Sequence, residues 1–196
     1  MSAMCHPRWV SRWASVAAAT ALLTVPALAA AQDSVSAVWV PKHVQFIYQG
    51  FTTRYSCDGL RDQIHSMLEK LGAKDLKVRE IACTSPPGAP SPFPGVTVNM
   101  RVLVPATSAD ASKLKNPGPP VQAQWKEVVL MPANADYSEQ GQCELIEQFK
   151  ETFLPLFSIR NVKYNSNCIP HEVTLGTHLS AQVLVPAPRA ARGTGQ

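Results

Sequence analysis

The residues able to do chemistry in this chain are five histidines, five cysteines and fourteen carboxylates. The best metal-ligand grouping is His171, Glu172 and His178. The intervening Val173-Thr174-Leu175-Gly176-Thr177 has strand composition, and on a strand residues seven apart face opposite sides. The grouping is therefore not expected to converge on a metal, and no metal or other cofactor is expected. His43 ahead of the first strand and His65 on a helix read as ordinary polar residues. Glu139, Glu144, Glu147 and Glu151 recur at near-helical spacing, which predicts a solvated helix face rather than paired catalytic acids. Gly-x-Ser-x-Gly, Ser-x-x-Lys, Cys-x-x-Cys and a glycine-rich phosphate loop are all absent. No catalytic residue is predicted. The one enzymatic alternative is a small secreted hydrolase using His171 or His178.

Residues 1–31 have the layout of a secretory signal peptide. Arg8 and Arg12 precede an uncharged Ala/Leu/Val run, Pro26 breaks it, and Ala27-Leu28-Ala29 and Ala29-Ala30-Ala31 offer cleavage sites. Cys5 lies ahead of the apolar run, where a lipid-bearing mature N-terminal cysteine could not be. The expectation is export to the periplasm or the medium, with no stable membrane anchor after cleavage. Beyond residue 31, sixteen basic residues face fourteen acidic ones, a net charge of about +2. So small a charge, without aromatic residues interleaved among the basic ones, argues against nucleic acid as a partner. Four cysteines remain, Cys57, Cys83, Cys143 and Cys168, and an even number in an exported chain predicts disulfides.

The elements that must position these residues announce themselves twice. Val102-Leu103-Val104-Pro105-Ala106 recurs as Val183-Leu184-Val185-Pro186-Ala187, and each is preceded by a cysteine pair, 26 residues apart and then 25. Tyr55-Ser56 and Tyr137-Ser138 follow the apolar runs Phe46-Ile47-Tyr48 and Val128-Val129-Leu130 at equal distance. Each copy reads strand, helix, strand, strand. Val44, Phe46 and Tyr48 alternate as on a half-buried strand. Asp58 is expected to cap a helix burying Leu60, Ile64, Met67, Leu68 and Leu71, which Gly72 ends. Strands follow over Leu76–Cys83 and Val96–Val104. In the second copy, the strand Trp125–Met131 precedes a helix near Gln140–Leu154 burying Leu145, Ile146, Phe149 and Phe153, then strands over Ser158–Tyr164 and Val173–Val185. Pro105 and Pro186 stop the last strands for want of a ladder donor.

The predicted fold is therefore α+β: internally duplicated β-α-β-β repeats packed as a pseudo-two-fold pair, with one disulfide per repeat, Cys57–Cys83 and Cys143–Cys168. The repeats span 41–106 and 125–187. A Pro-rich linker at 107–124, extended and exposed, joins them, and 188–196 is a disordered tail. The repeats carry opposite net charge, +3 and −3. The duplicated element order resembles that of gyrase-inhibitor-like and SOUL haem-binding proteins. That likeness of element order implies a cleft between pseudo-symmetric halves that takes a small apolar ligand. Its walls would come from Tyr48, Trp125, Met100 and Leu179. The function expected is non-catalytic binding of an envelope protein or a small apolar ligand.

Overall fold

The computed structural model describes residues 34–131, 142–166, 168–169 and 177–188. The signal segment, the tail beyond Pro188, Tyr137-Ser138, Glu139, His171 and Glu172 lie outside the described residues. Six strands form one antiparallel sheet: β1 (Val35–Ile47), β2 (Lys74–Ile81), β3 (Gly95–Pro105), β4 (Val121–Met131), β5 (Ile159–Asn165) and β6 (His178–Pro186). Their spatial order is β2-β3-β1-β4-β6-β5. The helices are α1 (Cys57–Lys70), the short α2 (Ala109–Ser112) and α3 (Cys143–Thr152), followed by a 3₁₀ turn at Leu154–Leu156. The protein is thus α+β, with disulfides Cys57–Cys83 and Cys143–Cys168.

Strand alternation sorts the sheet into two faces. Val38, Val40, Phe46, Val96, Val98, Met100, Val102, Leu179 and Val183 enter one core together with the apolar stripes of α1 and α3. Fully burying each Leu, Ile or Phe of those stripes contributes about 1.5–3 kcal/mol. Phe153 joins the two sides of this core, edge-on to Phe46 at 5.4 Å and stacked on Phe149 at 4.8 Å. On the other face Ala37, Leu103, Ala123 and Leu184 form a smaller cluster, with Val35, Trp39, Val121 and Trp125 packed against it. Among the described residues, all three helices contribute to the first face.

Local signals explain the ends of α1, with one correction. The N-cap is Ser56, whose hydroxyl accepts from the Gly59 amide, and not Asp58. Asp58 sits instead in the first turn and accepts from the Gly88 amide at 3.4 Å. At the other end Gly72 has φ +82°, and the Gly72 and Ala73 amides return to the Glu69 and Leu68 carbonyls. That is a Schellman close, which needs a left-handed residue.

Two further boundaries differ from expectation. β1 starts at Val35, so His43 lies within it, where its Nδ1 is 2.9 Å from the Asn99 side chain. The segment 107–124 is not simply extended: α2 folds within it on a Ser108 cap, Ala111 is buried, Asp110 pairs with Lys42 at 2.6 Å, and β4 begins at Val121. Proline density marked the spacer character of 107–124 but hid this short apolar docking point.

Candidate functional site

The sheet is two three-stranded halves that meet at only three residue pairs, Val35 with Ala123, Ser36 with Gln122 and Ala37 with Val121. Within the halves the registers match. Trp39 lies opposite Leu103 on β3, and Trp125 lies opposite Leu184 on β6. Both tryptophans therefore stand on the face opposite the helices, half-buried against the small cluster. A cation covers each ring: Lys74 Nζ lies 5.4 Å from the Trp39 centroid, and the Arg160 guanidinium 4.5 Å from that of Trp125. Both cations are placed by the same device, an irregular register at Lys74/Lys77 and at Arg160/Lys163. The residue after each cation, Asp75 or Asn161, takes a left-handed backbone with φ 51° or 52°. Such bulges re-aim side chains, here across a neighbouring strand.

Around Trp39 the surface is cationic. Lys74, Lys77 and Arg101 line its hollows with one carboxylate, Asp75, which pairs with Arg101. Around Trp125 one of two positive charges is offset: Lys163 lies 3.6 Å from Glu127, while Arg160 donates to the neutral Gln182 at 2.8 Å.

The residues expected to wall a pocket are not brought together. Tyr48, Met100 and Leu179 are closed into the helix-side core, whereas Trp125 lies on the opposite face. Trp39, which sequence reasoning passed over, borders two of the concave surfaces among the described residues. Its signal was present: it and Trp125 are the two tryptophans beyond residue 31, each in an apolar run.

A second polar centre lies where α3 meets the turn after β1. Glu144, expected on a solvated face, is buried. Its carboxylate accepts from the Phe51 amide at 2.8 Å, the Thr52 amide at 3.0 Å, the Thr52 hydroxyl at 3.1 Å and the Tyr48 hydroxyl at 3.3 Å. Burial, then the neighbouring Tyr55 and Glu144, push the Tyr48 hydroxyl well above the usual phenol range. Burial and Glu144 do the same to Tyr55. Burial keeps both phenols in their neutral, proton-bearing form, and the hydrogen bonds to Glu144 make a structural clasp. One turn along α3, Glu147 accepts from Tyr164 at 2.9 Å and from Ser166 at 3.1 Å.

His178 Nε2 lies 3.1 Å from the Ser180 hydroxyl. Ser180 is buried, and no described group meets His178 Nδ1. Among the described residues no three His, Cys, Asp or Glu side chains gather as metal ligands. No protein family, no curated protein and no solved structure matches the chain.

Proposed function

We propose that this is an exported, non-catalytic binding protein, made of two copies of a β-α-β-β unit about a pseudo-two-fold axis, which meets its partner on the face opposite the helices. The observation that carries the reading is the pair of half-buried tryptophans on that face, each under a cation. Interfaces and ligand sites favour such aromatic residues, whose large area is held at low entropic cost.

Duplication is supported by equivalences beyond the repeated Val-Leu-Val-Pro-Ala run. The Ala106 amide donates to Ser36 and the Ala187 amide to Gln122, both at 2.9 Å. Ser36 and Gln122 also face each other at the centre of the junction, where an axis exchanging the halves would pass. Export to the periplasm or the medium is supported by the layout of residues 1–31 and the two disulfides. Among the described residues no helix is long and apolar enough to cross a membrane. An envelope partner fits this address. A small apolar ligand fits the open, partly charged hollows less well.

The test uses the two tryptophans as reporters, since both others lie in residues 1–31. Protein, polysaccharide and lipid fractions of envelope extract are titrated into the mature protein. At least one is expected to shift its emission, and silence to all three refutes this use of the face.

A second reading, a small hydrolase using His178, has the Ser180 contact in its favour. A dyad of this kind needs a third group to orient the base. Labelling of Ser180 by a fluorophosphonate, lost in Ser180→Ala, would establish it.

A further inference from the structure

Three neighbouring hollows on the face that carries Trp39 share lining residues. The first, about 380 Å³, lies against Pro41, His43, Lys77 and Asn99. The second, about 530 Å³, is bounded by Trp39, Lys74, Asn116 and Pro119, and shares Pro41 and Arg101 with the first. The third, about 580 Å³, reaches Gln122, Pro186 and Pro188, and shares Trp39, Lys74 and Val121 with the second. Linked by these shared residues they make an open trough, less enclosed than a small-molecule site.

Its chemistry has three parts in alternation. Trp39 and the proline rings give flat apolar ground. Lys74, Lys77 and Arg101 give positive charge. Asn99 and Asn116 give amide donors and acceptors. The cationic part is not a general property of this fold. Two residues beyond Trp125 stands Glu127, where Pro41 stands beyond Trp39, and two before Leu184 stands Gln182, where Arg101 precedes Leu103.

We propose that this trough binds an acidic polysaccharide chain, its sugar rings lying on the prolines beside Trp39 and its carboxylates meeting the lysines, Lys74 over the Trp39 ring among them. The inference rests on reading this face as a binding surface, and it names the ligand class. An acidic peptide suits the trough less. Although Lys74 and Lys77 belong to the edge strand β2, the floor at Trp39, Pro41, Asn99 and Arg101 is the face of β1 and β3, and the proline walls carry no amide hydrogen, so a peptide main chain lying there would find few partners. Sugar hydroxyls, by contrast, match the amide side chains. Nucleic acid calls for more stacking platforms and more positive charge than one tryptophan and three cations supply.

The experiment uses mature protein carrying Trp125→Phe, so that emission reports on Trp39 alone, with calorimetry on the unsubstituted protein as a check independent of that change. The probes are a mannuronate hexamer, neutral cellohexaose and hexaglutamate. The mannuronate hexamer is expected to shift Trp39 emission saturably. Cellohexaose should bind about tenfold more weakly or not at all, and the double variant Lys74→Ala/Lys77→Ala should lose about tenfold in affinity at low salt, less at high salt. Hexaglutamate binding as tightly as mannuronate overturns the polysaccharide inference while leaving the binding face intact. An unaltered affinity in the double variant overturns it too, as does the absence of mannuronate binding by both readouts. The binding reading itself then stands or falls on the envelope fractions.

Discussion

The carboxylate of Glu144 on α3 lies 3.3 Å from the hydroxyl of Tyr48, whose proton it shares with the Thr53 carbonyl at 2.9 Å, and so, across 96 residues of chain, meets the turn that leaves β1. The Phe51 and Thr52 amides complete the clasp. Gly50 permits it, since a Cβ there would overlap the Tyr48 phenol.

Glu144→Ala is expected to cost about 1–3 kcal/mol, because it takes a charged acceptor away from the part-buried Phe51 and Thr52 amides. Glu144→Gln, which keeps shape and one acceptor, should cost less, about 1–2 kcal/mol. Urea titrations measure both. Limited proteolysis of the alanine variant should open near residues 49–52.

Removing the Cys57–Cys83 bridge by paired serine substitution should lower stability by about 3–3.5 kcal/mol, and removing Cys143–Cys168 by a similar amount, on the chain-entropy account of loops of this length. Non-reducing peptide maps should contain these two cross-links and no Cys57–Cys143 peptide.

Alkaline pH should unfold the protein through its phenols. Burial, helped by the bond to Glu147, pushes the Tyr164 hydroxyl up to about 12 from an ordinary 10.0, and Tyr48 and Tyr55 are raised as well. A raised phenol leaves stability whole below the unfolded value. Stability then falls as pH climbs from about 10 toward 12, where only the unfolded chain readily ionises. Tyrosinate absorbance and circular dichroism should change together over that window, and Tyr164→Phe should weaken the dependence.

Lys74→Ala should alter the emission of Trp39 and leave that of Trp125 unchanged, with Arg160→Ala doing the converse. Each loses an exposed cation–π contact of about 0.5–1 kcal/mol. Variants with a single tryptophan, Trp39→Phe and Trp125→Phe, separate the two signals.

N-terminal sequencing of exported protein should find a first residue between Ala30 and Asp33, where the small-residue pattern places cleavage. An intact Met1 would contradict the expected export.

The stripes of α1 and α3, the stops at Pro105 and Pro186, and the like spacing of the two cysteine pairs were legible in the chain, because each depends on neighbours within a turn or a strand. The face of the sheet on which Trp39 would lie was not. Val38, Trp39 and Val40 are all apolar, so alternation there assigns no side to solvent, and only the stacking of both helices on one face turned Trp39 to the other. Glu144 was hidden for a different reason. Two of its four partners are backbone amides, which carry no signature by residue type, and a carboxylate on a helix reads as solvated until a distant turn is folded over it. Local patterns thus settled what each segment becomes. Which polar group is buried and which aromatic ring is left accessible depended on contacts between segments far apart in the chain.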